Sequence, residues 1–366
     1  VAGAWMADHN EGVVAIFLHP YRIDLSLNLF VLALVLLVAV ILLAQKAVSA
    51  LLSLPREARR WRLQQKERAA HAALLDAYAQ FMAGRYLRAR KSAELVLARE
   101  DALRHVADHP LAHAAALRTV AHVLAAESAH ALQDKALRDQ HLQQAEQLAQ
   151  QAQASERQAL AEGLTLRAAR WSLDDRDAEA SLERLKELPP AVGRRMVAMR
   201  LLLKASRLAG QTAQALDTAV LLAKHRAFTP LAAESLVRGL ILEWLTQVRD
   251  ADGVQKLWQK LSPAQRKMPD VAAEVALRFM ALGGATATAR LWLEPLWVPL
   301  QGGASAQWSP LQMLRVVQAL ERSQPDPQAP DARQGLARVE GLQQAQPRDP
   351  RLQYLAGMVC LRQRLW

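Results

Sequence analysis

Three histidines, His105, His109 and His113, are the residues whose spacing comes closest to a ligand site. Because successive members are four positions apart, they would line one face of a helix, and their ring nitrogens are ligands for a metal or a haem iron. Pro110 interrupts that face, because proline is tolerated in the first turn of a helix but not in its interior. The histidines are therefore interpreted as solvated polar positions, and ligation of haem or a metal is the alternative.

No other residues suggest chemistry. Cys360 is the single cysteine, is followed by leucine and is interpreted as a small packing residue of the last helix. The two glycine pairs, Gly283-Gly284 and Gly302-Gly303, lack the spaced glycines and the Lys-Ser/Thr that cradle phosphates. No Ser/His/Asp set or pair of carboxylates has a spacing that indicates catalysis. The sequence predicts a protein that is not an enzyme, with no catalytic residue, no metal and no resident cofactor.

The composition predicts an all-α fold. Hydrophobic residues make up 52% of the 366 residues, whereas aromatic residues make up 5%, and Ala, Leu, Gln and Arg dominate. These are good helix formers. The stretch from Leu25 to Ala44 contains no charge and would span roughly 30 Å as a helix, which is the thickness of the hydrocarbon core of a bilayer. It is predicted to be a transmembrane helix.

A basic cluster follows the apolar stretch. It consists of Lys46, Arg56, Arg59, Arg60, Arg62, Lys66 and Arg68, against only two acids. Because basic residues mark the cytoplasmic end of a membrane helix, the rest of the chain is predicted to lie in the cytoplasm. The same cluster would contact anionic lipid. It carries nearly half of the net charge of +11, so nucleic acid is not expected as a partner.

A repeated pattern predicts helical pairs. A turn residue is followed five positions later by alanine, which allows two helices to pack closely. The copies are Gly84 and Ala89, Asp175 and Ala180, Gly210 and Ala215, and Gly284 and Ala289. Pro190, Pro230 and Pro269 recur about forty residues apart, near the length of a helix pair. We therefore expect an α-solenoid of tetratricopeptide-like helix pairs after the membrane helix.

The predicted domains are a short extracytoplasmic segment over residues 1–24, a transmembrane helix over 25–54, a basic juxtamembrane helix over 55–70 and the solenoid over 71–366. Residues 1–6 are interpreted as the tail of an earlier membrane helix, and two extended stretches are expected around His19-Pro20. Pro55 is expected to end or kink the membrane helix. The chain is predicted to continue beyond Trp366, because the last helix has no partner. The tryptophans Trp292, Trp297 and Trp308 are interpreted as packing residues of the repeats.

The order of these features resembles the HemY-type proteins of proteobacteria, which are membrane-anchored tetratricopeptide proteins associated with haem biosynthesis. The resemblance rests on GVVAI from Gly12, on Tyr21-Arg-Ile-Asp-Leu-Ser26, on the basic cluster, and on Ala73-Leu-Leu-Asp with Ala83-Gly-Arg-Tyr86. It extends loosely through Gln140–Leu148 and Trp258–Ala289. The resemblance implies a bacterial inner-membrane location and a link to a late step of protohaem synthesis. It supplies no catalytic residues.

Three functions remain open at this point. The first is a non-catalytic scaffold whose helical-repeat surface gathers enzymes of late haem biosynthesis. The second is a carrier that itself binds haem or a porphyrin, with His105, His109 and His113 as the candidate ligands. The third is a general assembly factor for a membrane protein complex. The sequence predicts neither the identity of the partner proteins nor the oligomeric state.

Overall fold

The computed structural model describes residues 12–104, 113–302, 307–330 and 332–365, and most of these residues are helical. The prediction of an all-α chain with an apolar N-terminal helix is confirmed. The expected membrane segment at residues 1–6 lies outside the described residues. The chain divides into two compact units, Val1–Ala161 and Glu162–Trp366.

A hairpin precedes the helices. Its strands, β1 (Val13–Leu18) and β2 (Tyr21–Ser26), pair antiparallel, with Val13 opposite Ser26 and Leu18 opposite Tyr21. The turn falls at His19-Pro20, where the sequence places it. The hydroxyl of Ser26 then accepts a hydrogen bond from the Leu29 amide and caps the next helix.

Helix α1 runs from Leu27 to Met82 without interruption. Its first part, Leu27–Ser49, has a mean hydropathy of 3.1, is long enough to cross a membrane and has no buried residue. The expectation that the helix ends at Pro55 is wrong, because the backbone is helical on both sides of that proline. A proline removes one backbone donor, and the strong helix formers around it keep the other hydrogen bonds of the helix.

The remainder of the N-terminal unit consists of α2 (Tyr86–Arg104), α3 (Ala114–Ala131), α4 (Lys135–Gln151) and the start of α5 (Ala154–Asp174). Small residues form the contact between α1 and α2 and are at most 4% exposed. They are Ala70, Ala73 and Ala77 on α1, and Ala89, Ala93 and Val96 on α2. Alanine lets the two helix backbones approach closely. Helix α1 therefore contains the apolar span in its first part and contributes to the core of this unit with its last part.

The C-terminal unit continues as short helices that pack on their neighbours. They are α6 (Ala178–Lys186), α7 (Pro190–Gly193), α8 (Met196–Leu208), α9 (Thr212–Lys224), α10 (Pro230–Gln247), α11 (Ala251–Lys260), α12 (Pro263–Arg266), α13 (Pro269–Ala281), α14 (Thr286–Leu293), a 3₁₀ turn (Glu294–Leu296), α15 (Trp297–Gln301), α16 (Pro310–Arg322), α17 (Ala332–Ala345) and α18 (Pro350–Arg362). Trp292 and Trp297 are buried in its main core.

Two of the four proposed turn positions have the expected geometry. Gly84 and Gly210 follow the ends of α1 and α8 with φ of +70° and +69°. This left-handed conformation is costly for residues with a Cβ atom. Five residues later, Ala89 and Ala215 are completely buried.

The third turn is longer by one residue. Gly283, rather than Gly284, has the positive φ, +85°. Gly284 lies in the same turn for a different reason, because a Cβ atom at this position would lie 2.5 Å from the ring of Phe279. Ala289 is fully buried. Gly284 is therefore a close-packing position and not the helix-ending residue.

The fourth copy of the pattern is shifted by one residue. Arg176, not Asp175, takes the left-handed conformation, with φ of 63°. The fully buried position five residues later is accordingly Ser181, whereas Ala180 is only half-buried. The Ser181 hydroxyl donates a hydrogen bond to the Ala169 carbonyl over 2.9 Å, which allows a polar residue to occupy the helix contact.

The recurring prolines begin helices. Pro190, Pro230 and Pro269 are the first residues of α7, α10 and α13. At that position the missing amide hydrogen costs nothing, because the first amides of a helix have no partner within it. The helical pairs are thus observed, while their assignment to the tetratricopeptide class stays a prediction.

Candidate functional site

Of the three candidate histidines, the structure describes only His113. His105 and His109 lie outside the described residues. His113 is exposed before α3, and its Nδ1 lies 2.7 Å from Oε1 of Glu156. Among the residues that the structure describes, no three His, Cys, Asp or Glu side chains are arranged to hold a metal ion. Ligation by the three histidines therefore stays the alternative to the prediction that they are solvated polar positions.

The other predicted positions are dispersed along the chain. Cys360 lies half-buried on α18 as a free thiol. Lys46 falls within the apolar span, and Arg62, Lys66 and Arg68 are exposed further along α1. The remaining members of the basic cluster, Arg56, Arg59 and Arg60, are on the same helix, but their side chains lie outside those that the structure describes.

A buried histidine pair, which the sequence analysis missed, joins α3 to α4. The Nδ1 atoms of His122 and His141 are 2.9 Å apart, and the two residues are 7% and 9% exposed. Both lie one helical turn from buried residues of their own helix, Ala125 and Ala145. An analysis of helical faces would have placed the two histidines inside, although it would not have paired them.

Burial keeps both rings neutral. It lowers the pKa of His122 to about 4, and the neighbouring His141 and the positive charge of Arg118 act in the same direction, while Asp101 opposes them. Burial also lowers the pKa of His141, against the opposing charge of Glu94. Because the two rings are neutral at pH 7, the short contact requires one Nδ1 to donate its proton and the other to accept it.

A network of charges adjoins the pair and ties α2 to α3. The Arg118 guanidinium contacts Asp101 and donates to Oε2 of Glu100 over 2.5 Å. Glu100 is only 2% exposed, so its charge requires this partner. The network joins α2 to α3, and the histidine pair joins α3 to α4.

The C-terminal unit contains an open groove of about 780 Å³ between α8 and α10. Helix α9 packs against both of these helices, which places them side by side. The apolar lining comes from both helices and from the loop before α10, and it consists of Val197, Leu201, Leu203, Leu208, Phe228 and Leu236. Val197 and Leu208 are 61% and 50% exposed, so apolar surface at both ends of the groove is open to solvent.

One edge of this groove is basic. Arg200, Lys204 and Arg207 line it from α8, and all three are exposed. Glu243 of α10 is the single acid in the lining. An apolar floor beside a row of cations can bind a partner that is both apolar and acidic.

Comparison with known proteins agrees with the resemblance in the N-terminal third of the chain. No curated protein matches the chain. Residues 12–133 match the family model described as the HemY protein N-terminus. The matched range begins before β1 and includes α1, α2 and α3, and it therefore contains the apolar span, the first turn at Gly84 and the first histidine of the buried pair. Over these residues the chain has a HemY N-terminal domain.

Proposed function

We propose that the chain is a non-catalytic scaffold, anchored in the bacterial inner membrane, that organises enzymes of late haem biosynthesis in the cytoplasm. The HemY N-terminal domain supports a role in haem biosynthesis. The apolar span of α1 supports anchoring in a membrane. The six members of the basic cluster that follow that span support a cytoplasmic location of the helical units and contact with anionic lipid.

The groove between α8 and α10 is the observation on which the scaffold role depends. Exposed apolar side chains such as Val197 and Leu208 cost free energy in water unless a partner covers them. An open groove of this kind suits a protein surface better than a small substrate, which is normally enclosed over most of its area. Anchoring adds to this effect, because confinement to a membrane raises the local concentration of whatever the groove binds.

The test uses a substitution that fills the groove without disturbing the fold. Gly239 lies on α10 between Leu236 and Glu243, one turn from each, and it is exposed with no atom within 4 Å of an added Cβ. Because Leu236 and Glu243 line the groove from the same face of α10, we expect a tryptophan at this position to enter it. Gly341 of α17 is also an exposed helical glycine with open space around it, and G341W is the matched control.

We expect G239W to fail in complementing a deletion strain, read as accumulation of porphyrins, while G341W complements. Removal of Leu27–Ser49 should also abolish complementation, because it separates the groove from the membrane. Alanine at His105, His109, His113 and Cys360 together should leave function intact. If this fourfold variant folds and fails, the protein acts as a haem or porphyrin carrier and not as a scaffold.

A further inference from the structure

The basic edge of the groove has a regular spacing. Arg200, Lys204 and Arg207 follow one another at intervals of one helical turn, and α8 contains no acidic residue. Within the described part of the chain, none of the three forms an ion pair, and Arg200 only donates from Nη2 to the Ala227 carbonyl over 3.3 Å. The edge therefore presents a cation about every 5.4 Å along the groove.

The apolar surface of α8 has the same period. Val197, Leu201 and Leu208 lie on one face of the helix with Lys204, and this face extends for about 16 Å at 1.5 Å per residue. On the facing helix, Leu236 and Glu243 line the groove, and Gly239 between them leaves open space. The groove therefore has an apolar floor, a basic edge formed by α8 and a single acid on the side formed by α10.

We propose that this groove binds an acidic amphipathic helix of a partner protein. The proposal rests on the scaffold function and names the chemistry of its partner. An amphipathic helix presents apolar residues at intervals of three and four, which matches the apolar period of α8. Glutamates or aspartates spaced one turn apart along its edge would each meet one of the three cations, and a basic residue would lie opposite Glu243.

The shape of the groove favours a helix over other acidic and apolar partners. The two ends of the groove are open to solvent, and a small carboxylate ligand would leave much of its length of about 16 Å uncovered. A bilayer presents a broad flat surface, whereas this floor is recessed between α8 and α10. The charges set the orientation of the bound helix, because reversing it end to end would move its acids away from the basic edge.

The experiment uses the purified full chain in detergent and a synthetic peptide of about 18 residues as the probe. The peptide has a leucine stripe with one glutamate per turn along its edge. Two control peptides have lysine in place of glutamate, or the same composition in scrambled order. Fluorescence anisotropy measures binding to the wild-type chain, to K204E, to G239W and to G341W.

We expect the glutamate peptide to bind at least about tenfold more tightly than either control peptide. K204E should weaken its binding several-fold, G239W should abolish it and G341W should leave it unchanged. Raising the salt concentration from about 50 to about 500 mM should also weaken it, because the charges are exposed. Equal binding of the glutamate and lysine peptides, or no binding of either, would overturn the proposal.

Haemin and anionic lipid vesicles titrated in the same assay separate the alternative occupants. Binding of either one that is lost in G239W, with no binding of the glutamate peptide, assigns the groove to that ligand and overturns the proposal. The scaffold function is judged separately by complementation. If G239W fails to complement and the glutamate peptide does not bind, the proposal of an acidic helix is wrong and the proposed scaffold function stands. If the peptide binds and G239W complements fully, only the proposed scaffold function is contradicted.

Discussion

The burial of His122 and His141 predicts that the N-terminal unit loses stability in acid. An unfolded histidine has a pKa near 6.5, whereas burial lowers the pKa of His122 in the folded chain to about 4. Between these values the unfolded chain binds a proton that the folded chain does not, so stability falls as the pH drops through this range. The loss contributed by His122 amounts to at most about 3 kcal/mol.

We expect the melting temperature of the detergent-solubilised chain to fall as the pH is lowered from 6.5 to 4. The melting temperature of H122N should fall less steeply over the same range. The variant should also be less stable at pH 7.5, because His141 loses its partner. H71N, which changes an exposed histidine of α1, should keep the slope of the wild-type chain. Identical slopes for wild type and H122N would show that the buried pair is not the acid-sensitive element.

Two glycines of the C-terminal unit should respond to alanine in opposite directions. Gly210 has a φ of +69°, so G210A should cost about 1 kcal/mol in free energy of unfolding even though no atom lies within 4 Å of the added Cβ. Gly239 lies inside α10 with equally open space, so G239A should stabilise by up to about 1 kcal/mol. Chemical denaturation measures both values, and a loss of stability in G239A would contradict the open space assigned to the groove.

At the scale of elements, the alanine contact between α1 and α2 joins the span to the N-terminal core. Ala77 is completely buried against α2, whereas Ala79 lies on the exposed side of α1. We expect A77L to destabilise the unit by about 1–3 kcal/mol, because the two backbones must separate to admit the larger side chain. A79L should be close to neutral. Limited proteolysis within α2 measures the difference, and equal digestion of the two variants would contradict the contact.

The helices themselves were predictable from the sequence where local signals were strong. The apolar run beginning at Leu25 and the glycine turns at Gly84 and Gly210 depend on nearby residues alone, because hydropathy and the left-handed conformation are local properties. The shift at Asp175 was not predictable from the glycine pattern, because Arg176 adopts the same left-handed conformation with a Cβ atom. Helix α1 continues past Pro55 because strong helix formers flank the proline, so the proline alone does not decide where the helix ends.

The candidate sites depended on contacts between distant residues and were not predicted. The rings of His122 and His141 meet only because α3 and α4 pack together. The groove likewise requires α8 and α10, which are separated by the whole of α9, to lie side by side. Helical periodicity can place a residue on a face, but it does not say which face of another helix it meets.

At the scale of the whole molecule, the basic cluster predicts which side of the membrane the helices occupy. A cytoplasmic reporter fused after Arg104 should be active, and a periplasmic reporter at the same position should be inactive, because basic residues are retained on the cytoplasmic side. Replacing the seven basic residues of the cluster with glutamine should weaken this preference. An active periplasmic reporter on the unchanged chain would reverse the topology.

Because helix α1 is continuous, the tilt of its apolar span in the bilayer would affect the position of the N-terminal unit. Met82 lies 33 residues beyond Ser49, the end of the apolar span, on a helix that includes every residue between them. At 1.5 Å per residue this distance is about 50 Å. No loop separates the two parts. If the span tilted by about 20° in a thinner membrane, the far end of α1 would therefore move sideways by roughly 17 Å. A change in lipid thickness would therefore shift the lateral position of the N-terminal unit, while the length of the helix keeps its distance from the span constant.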